Sequence, residues 1–273
     1  MNTTTCTRMP SAARCTVVAA LALLLSGCFA SPQPKAADSA SEGGPSWTPW
    51  SVKPEFLDCR AIAIMVFADR QKMEDSLPPG FAAASVVPGF SDVNLEIYAC
   101  AAVVIDNQTV LKEVTLAGVW VFVKGPPGVD DPGLIDLYSL ELFTDSLFLR
   151  DLLVAHGVPA QLATIQLTDV GPGQEAALVE IPGQLRYDGT VLSDEGSHGR
   201  DVAPLQRKHH HLFRDRPAWF YLNTTHYQNA EYPRAVVLEA SGGFLSTTPF
   251  GSTLPSASGT ATLSAIMDFG RLD

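Results

Sequence analysis

The chain has 273 residues, 46% hydrophobic and 17% charged, with a formal net charge of −11 at pH 7. That apolar, weakly charged composition excludes disorder along most of the length. The acidic balance excludes a surface built to displace counterions from nucleic-acid phosphates, and five cysteines with no C-x-x-C pair exclude a disulfide scaffold or a zinc ribbon.

Arg8 and Arg14 precede an almost unbroken apolar stretch, Thr16–Leu25. It is too short to cross a bilayer as a helix, which takes about 20 residues. With small residues after it, the pattern is that of a secretory signal peptide. Leu25-Ser26-Gly27-Cys28 resembles the bacterial lipobox, in which the cysteine is lipidated and cleavage falls before it. The resemblance implies a signal over residues 1–27, Cys28 as mature N-terminus, and a lipid anchor rather than a membrane span. Phe29, a residue other than Asp after the cysteine, is similar to the sorting pattern of outer-membrane lipoproteins. The implied location is the cell envelope, at the outer membrane, facing the periplasm or the cell surface. Residues 29–54 are rich in Ala, Ser, Pro and Gly without an apolar period. Residues 28–54 are therefore read as the lipidated cysteine and a flexible tether, and 55–273 as a single domain.

The domain opens with Phe56–Phe67, a largely apolar run with β-branched residues that predicts a strand. Asp69 is an N-cap for a short helix over 70–77, stopped by Pro78-Pro79-Gly80. Strands are predicted at Val93–Ile105, Val114–Val123 and Ile135–Phe143, the first two joined by a hairpin at Asp106-Asn107-Gln108. Leu147, Leu149, Leu152, Leu153 and Ala155 predict a second helix over Ser146–His156, closed by Gly157 and Pro159. Short strands follow at Leu162–Leu167, Ala176–Ile181, Gln184–Leu192, Trp219–Leu222, Ala235–Ala240 and Thr260–Met267. Residues 193–216, polar with Gly, His and Arg, are read as a long surface loop. Many strands with two short helices make the expected fold mainly β, a barrel or a sandwich. With Cys28 committed to lipid, Cys59 and Cys100, both in predicted strands of an oxidising compartment, are the expected disulfide.

Ile64-Met-Val-Phe-Ala-Asp69, the short helix and Leu77-Pro78-Pro79-Gly80-Phe81 form one recognisable block. Tyr138-Ser-Leu-Glu-Leu-Phe-Thr-Asp145, the second helix and Gly157-Val-Pro-Ala-Gln-Leu-Ala163 form another. In order and spacing they resemble the acetoacetate decarboxylase-like superfamily over roughly residues 56–170. The resemblance implies a closed, cone-shaped β-barrel with a central cavity. In family decarboxylases the first lysine of a G-F-P-K-K motif forms a Schiff base with a keto acid, and the second depresses its pKa. This chain carries Ala160 and Gln161 at those positions, so the nucleophile and its activator are both missing. The family also lines its cavity with an arginine near the first strand and a glutamate near the next. Arg60 and Glu96 are the nearest counterparts, Arg60 one residue out of register, which in a strand reverses its face. The alternative is that both face solvent.

None of the lysines stands where the sequence predicts desolvation. Lys35 and Lys53 fall in the tether, Lys72 in a surface helix, Lys112 beside Glu113, Lys124 at a strand end and Lys208 in the polar loop. Lys208-His209-His210-His211 with His226 is metal-like in composition. Adjacent histidines of an extended chain point to opposite faces, so at best His209 and His211 converge, and no carboxylate stands at a ligand spacing. The cluster is read as a solvated basic loop without metal, and His156 as a charge near a helix C-terminus. No serine-hydrolase, phosphate-loop or dinucleotide motif occurs, and no cofactor is expected. The expected partners are the membrane, through the lipid, and a small hydrophobic or carbonyl ligand. Three functions follow: a non-catalytic lipoprotein binding that ligand in its barrel, an enzyme using an acid or base such as Glu96, or an envelope structural protein whose barrel is filled.

Overall fold

In the computed structural model, the described residues are 52–84, 88–125, 134–171, 174–192, 200–201, 206–214, 216–229, 235–247 and 258–271. The proposed signal, Cys28, nearly all of the tether and His198 lie outside them. The first apolar run forms β1 (Glu55–Asp69), in which Ile62, Ile64, Val66 and Ala68 face one way and Cys59 and Ala61 the other, as a period of two requires. Asp69 ends it by accepting from the Lys72 N–H at 3.0 Å, which starts α1 (Arg70–Ser76). Packing begins earlier than Phe56. Val52 is 3% exposed, the Pro54 carbonyl accepts from Met267 N–H, and Lys53 pairs with Asp268 at 2.7 Å, so the last tether residues are already docked.

After the short β2 (Ala82–Ala83), β3 (Phe90–Ile105) and β4 (Gln108–Lys124) make one long hairpin. Its two-residue turn puts Asp106 at φ 50° and Asn107 at φ 63°, the left-handed pair that matches the twist of the strands. Gln108–Glu113 extends β4 ahead of the expected start at Val114, because backbone pairing with β3 continues through it. β5 (Ile135–Thr144) leads to α2 (Leu147–Ala155), whose N-terminus is capped by Ser146. Gly157, at φ 80°, closes it: its N–H reaches the Val154 carbonyl at 2.9 Å and the Val158 N–H the Leu153 carbonyl at 3.0 Å.

The chain then splits what the sequence suggests is one strand. β6 (Ala160–Leu162) pairs with β5, whereas β7 (Thr164–Gly171) starts a separate sheet with β8 (Gln174–Ile181) and β9 (Leu185–Leu192). β10 (Arg200–Asp201), β11 (Gln206–Phe213), β12 (Arg216–Asn229), β13 (Ala235–Ser241), a 3-10 turn at Leu245–Thr247 and β14 (Ser258–Arg271) complete the order. The expected surface loop over 193–216 is corrected by β11. This strand lies between β12, antiparallel, and β5, parallel, and its residues Lys208–His211 are all 2% exposed or less.

Strand pairing runs β4-β3-β1-β14-β12-β11-β5, and β5 pairs back to β4. The circuit is closed, giving the expected mainly β, cone-type barrel with two short α-helices. Its inner face gathers Cys59, Tyr98, Leu116, Trp120, Phe220, Leu263 and Met267, with Leu149 and Leu153 of α2. A second core lies outside the ring, where β1, β3 and β4 present Ile64, Leu95 and Val119 to Ile165, Val179, Tyr187 and Leu238 of the sheet β13-β9-β8-β7. One polar clasp sits in that outer core. Glu141 accepts from Tyr187 O–H at 2.5 Å and from Phe244 N–H at 2.9 Å, and burial pushes its pKa up. Gly243, at φ 61°, lets the chain pass: a Cβ there would meet the Tyr187 hydroxyl at 2.1 Å.

Cys59 and Cys100 stand directly opposite each other on β1 and β3 and are joined as a disulfide. The bridge closes a 41-residue separation, worth about 4 kcal/mol of unfolded-state entropy. A Cys59→Ala, Cys100→Ala double variant is expected to lose roughly that amount in denaturant unfolding. An equal midpoint with and without reductant in the native chain would contradict the bridge.

Candidate functional site

The inner face of the ring is where polar chemistry collects. Along β3 the inward positions read Asp92, Asn94, Glu96, Tyr98 and Cys100, all buried. Glu96 is 2% exposed, and both its oxygens are engaged: Tyr98 O–H donates to Oε2, and the Arg207 guanidinium pairs with Oε1. β3 and β11 are not neighbours in the ring, so this ion pair spans the lumen. Its charges answer each other, the condition on which a buried carboxylate is tolerated.

Arg60, the nearest counterpart of the family's cavity arginine but one residue out of register, points the other way. Between inward Cys59 and Ala61 it turns outward, is partly exposed, and lies 3.6 Å from Glu175 of β8. The register argument explains this, and Arg207 supplies the lumen arginine from a strand read as a loop. Ala160, on β6, is buried, paired with Leu142, and belongs to the inner apolar cluster. Gln161 next to it is exposed, as alternation demands.

Two residues along β11 from Arg207, His209 is fully buried, stacked on Phe220 (centroids 4.7 Å, 4° between planes) and set edge-on to Trp120 at 4.4 Å. Neither ring nitrogen has a hydrogen-bond partner among the described residues. Burial, then the nearby Arg207 charge, hold its pKa well below the usual value, so the ring is neutral. His211, two further on, donates from Nε2 to the His156 carbonyl at 3.0 Å and is held to a pKa of about 4, chiefly by burial. His156 is not an exposed charge at a helix end. It is buried, stacked on Phe269 at 3.9 Å, with Nδ1 bonded to the Leu152 carbonyl. His210 faces outward from the ring, 2.7 Å from Asp136.

Trp120 fills the lumen beside His209, its indole folded over Gly118. A Cβ on Gly118 would stand 2.0 Å from the ring, so only glycine admits that rotamer. A cavity of about 20 Å³, room for about one water, lies between Tyr98, the Cys59–Cys100 bridge, Leu116, Leu222 and Leu263. Lys53, Lys72, Lys112 and Lys124 are exposed. Lys208 is buried, but on the outer face of β11, its ammonium 4.5 Å from the Trp219 ring. Among the described residues no three metal-ligating side chains come together. The sequence reading missed β11 because six consecutive polar residues, Gln206 to His211, break the apolar alternation that marks a half-buried strand. The usable signal was aromatic: Trp219-Phe220-Tyr221, directly across the hairpin.

No protein-family model matches the sequence, and no curated protein does. Solved structures do match. The enduracididine biosynthesis enzyme MppR with HEPES bound superposes with a TM-score of 0.55 at 12% identity, over 81% of this chain and 87% of that one. The acetoacetate decarboxylase of Legionella pneumophila gives 0.54 at 15% identity, over 86% and 93%. An acetoacetate decarboxylase-like enzyme from Sphingomonas wittichii gives 0.52 at 13%, over 81% and 92%. The chain therefore has the acetoacetate decarboxylase-like fold.

The two neutral histidines make stability depend on pH. Their folded pKa values lie below the unfolded value, so the unfolded chain binds more protons, and stability is lost as pH falls from about 6.5 towards 4. For His211, from the model-peptide value of 6.5 to about 4, the loss is about 3 kcal/mol. The raised pKa of Glu141 acts in the opposite sense, so the test compares variants. His209→Phe is expected to unfold less readily at pH 4.5 than the native chain, with a smaller difference at pH 7, followed by thermal melts.

Proposed function

We propose that this protein is a lipid-anchored envelope protein whose decarboxylase-like barrel binds a small apolar or carbonyl ligand without covalent capture. The observation that carries the reading is the lumen's inventory. Ala160 stands where the sequence likeness puts the family's Schiff-base lysine, Gln161 is exposed, and no lysine among the described residues projects inward, while the Glu96–Tyr98–Arg207 group keeps the centre polar. An alanine forms no imine, and without an iminium there is no electron sink for decarboxylation. MppR, of the same fold, has been solved with pyruvate, which supports a small carbonyl compound as the ligand class. Acid or base catalysis by Glu96 is the weaker reading, because both its oxygens are already bound.

The purified protein is expected to release no carbon dioxide from acetoacetate and to form no borohydride-stable adduct with a keto acid. Ala160→Lys should confer feeble activity at most, since position 161 offers no second cation. Carbon dioxide release by the native chain would overturn the reading. For the anchor, Cys28→Ser is expected to shift the protein from the membrane to the soluble or unprocessed fraction and to abolish labelling by a palmitate analogue.

A further inference from the structure

The helix α2 plugs one end of the ring. Its Leu149 and Leu153 join the inner apolar cluster, and its opposite side is turned away from the lumen. On that side Leu147 is 56% and Val154 48% exposed. Leu162 of β6, paired with Thr144 just ahead of the helix, is 42% exposed. Leu147, Asp151 and Val154 follow the i, i+4, i+7 spacing of one helix face, and the charge of Asp151 is answered by Arg150 at 2.5 Å. Single exposed apolar side chains are ordinary, but these stand together, at the end of the ring where the tether enters. There Lys53 pairs with Asp268, and the Pro54 carbonyl accepts from Met267 N–H. The next residue of β14, Phe269, stacks on His156, the C-cap of α2.

From this placement we propose that the α2 end of the barrel is a membrane-seating surface, resting in the head-group layer of the bilayer that holds Cys28. The proposal rests on the lipid-anchor reading above and adds which face of the domain meets the lipid. The tether residues 29–51 are 23 in number and lead to the docked Val52; a flexible chain of that length spans about 25 Å. It therefore delivers this end of the domain to the bilayer, at an effective concentration that fills a contact too weak for a free protein. Trp47 and Trp50 precede Val52 by five and two residues, and indoles are side chains that favour the head-group layer. A chain of formal charge −11 is not drawn to anionic lipid. The attraction is apolar burial, which salt does not screen.

With Cys28 lipidated and Cys59 bridged to Cys100, an added cysteine is the one free thiol of the processed chain. A nitroxide on Val154→Cys is read in the lipidated chain, reconstituted in phosphatidylcholine vesicles at a high lipid-to-protein ratio. Lys72→Cys on α1, at the other end of the ring, is the reference. Relative to the Cys28→Ser chain in solution, the ratio of oxygen to nickel-chelate accessibility is expected to rise severalfold at 154, at low and high salt alike, and to stay unchanged at 72. Adding Leu147→Asp and Leu162→Asp, both at exposed positions, is expected to return the ratio at 154 to its solution value with the melting temperature unchanged. A water-exposed label at 154, on a chain that stays membrane-bound and takes up a palmitate analogue, would overturn the seat and leave the anchor. Spin–spin broadening at 154, the mark of a second copy on this face, would do the same. Failure to take up the palmitate analogue would overturn the anchor and the seat with it.

Discussion

The barrel depends on one strand that must be polar and buried at once. β11 is the link between β12 and β5, and without it the pairing circuit is open at that point. A closed ring has no free edge, but every second residue of each strand then faces a lumen that water does not bathe. On β11 those residues are Arg207, His209 and His211. Each meets the cost differently: Arg207 by an ion pair across the lumen, His211 by a backbone carbonyl, His209 by remaining neutral between aromatic rings. The strand holds because its charges are either matched or never formed.

That solution dictates what surrounds it. A neutral imidazole packs as a flat aromatic ring, and the residues nearest it are Phe220 and Trp120. The indole needs room in turn, and Gly118 supplies it by having no side chain. Arg207, reaching Glu96, keeps a charge pair in an otherwise apolar interior, and Tyr98 completes the shell of that carboxylate. Gly118 and Trp120 of β4 and Arg207 and His209 of β11 thus form one packing unit. A change in any one falls on the others, so their energetics will not be additive.

Much of this was legible beforehand, and the reason differs by element. β1, the β3–β4 hairpin and α2 carry their own local signals: alternation, a two-residue polar turn, a serine cap, a closing glycine. The pairing of Cys59 with Cys100 follows once both fall on strands of one sheet. β11 carried no such signal, because its buried face is polar and its pattern is read correctly only when the opposing aromatics are known. The same blindness displaced the arginine. Family likeness suggested Arg60, while the lumen arginine arrives from a strand that the likeness did not cover. Site residues were therefore legible where they lay on elements with local signatures, and hidden where a partner across the ring defines them.

The positions that the sequence likeness matches to the family's lysine pair are accommodated here by ordinary packing. A Schiff-base lysine must be held unprotonated, by burial or by a second cation close by. Ala160 packs into the inner cluster and Gln161 beside it faces out, so neither position brings a charge into the lumen. What remains in the lumen is a self-matched ion pair and a set of neutral groups. Under the ligand-binding function proposed above, Ala160 and the neutral His209 favour the same thing, recognition rather than turnover.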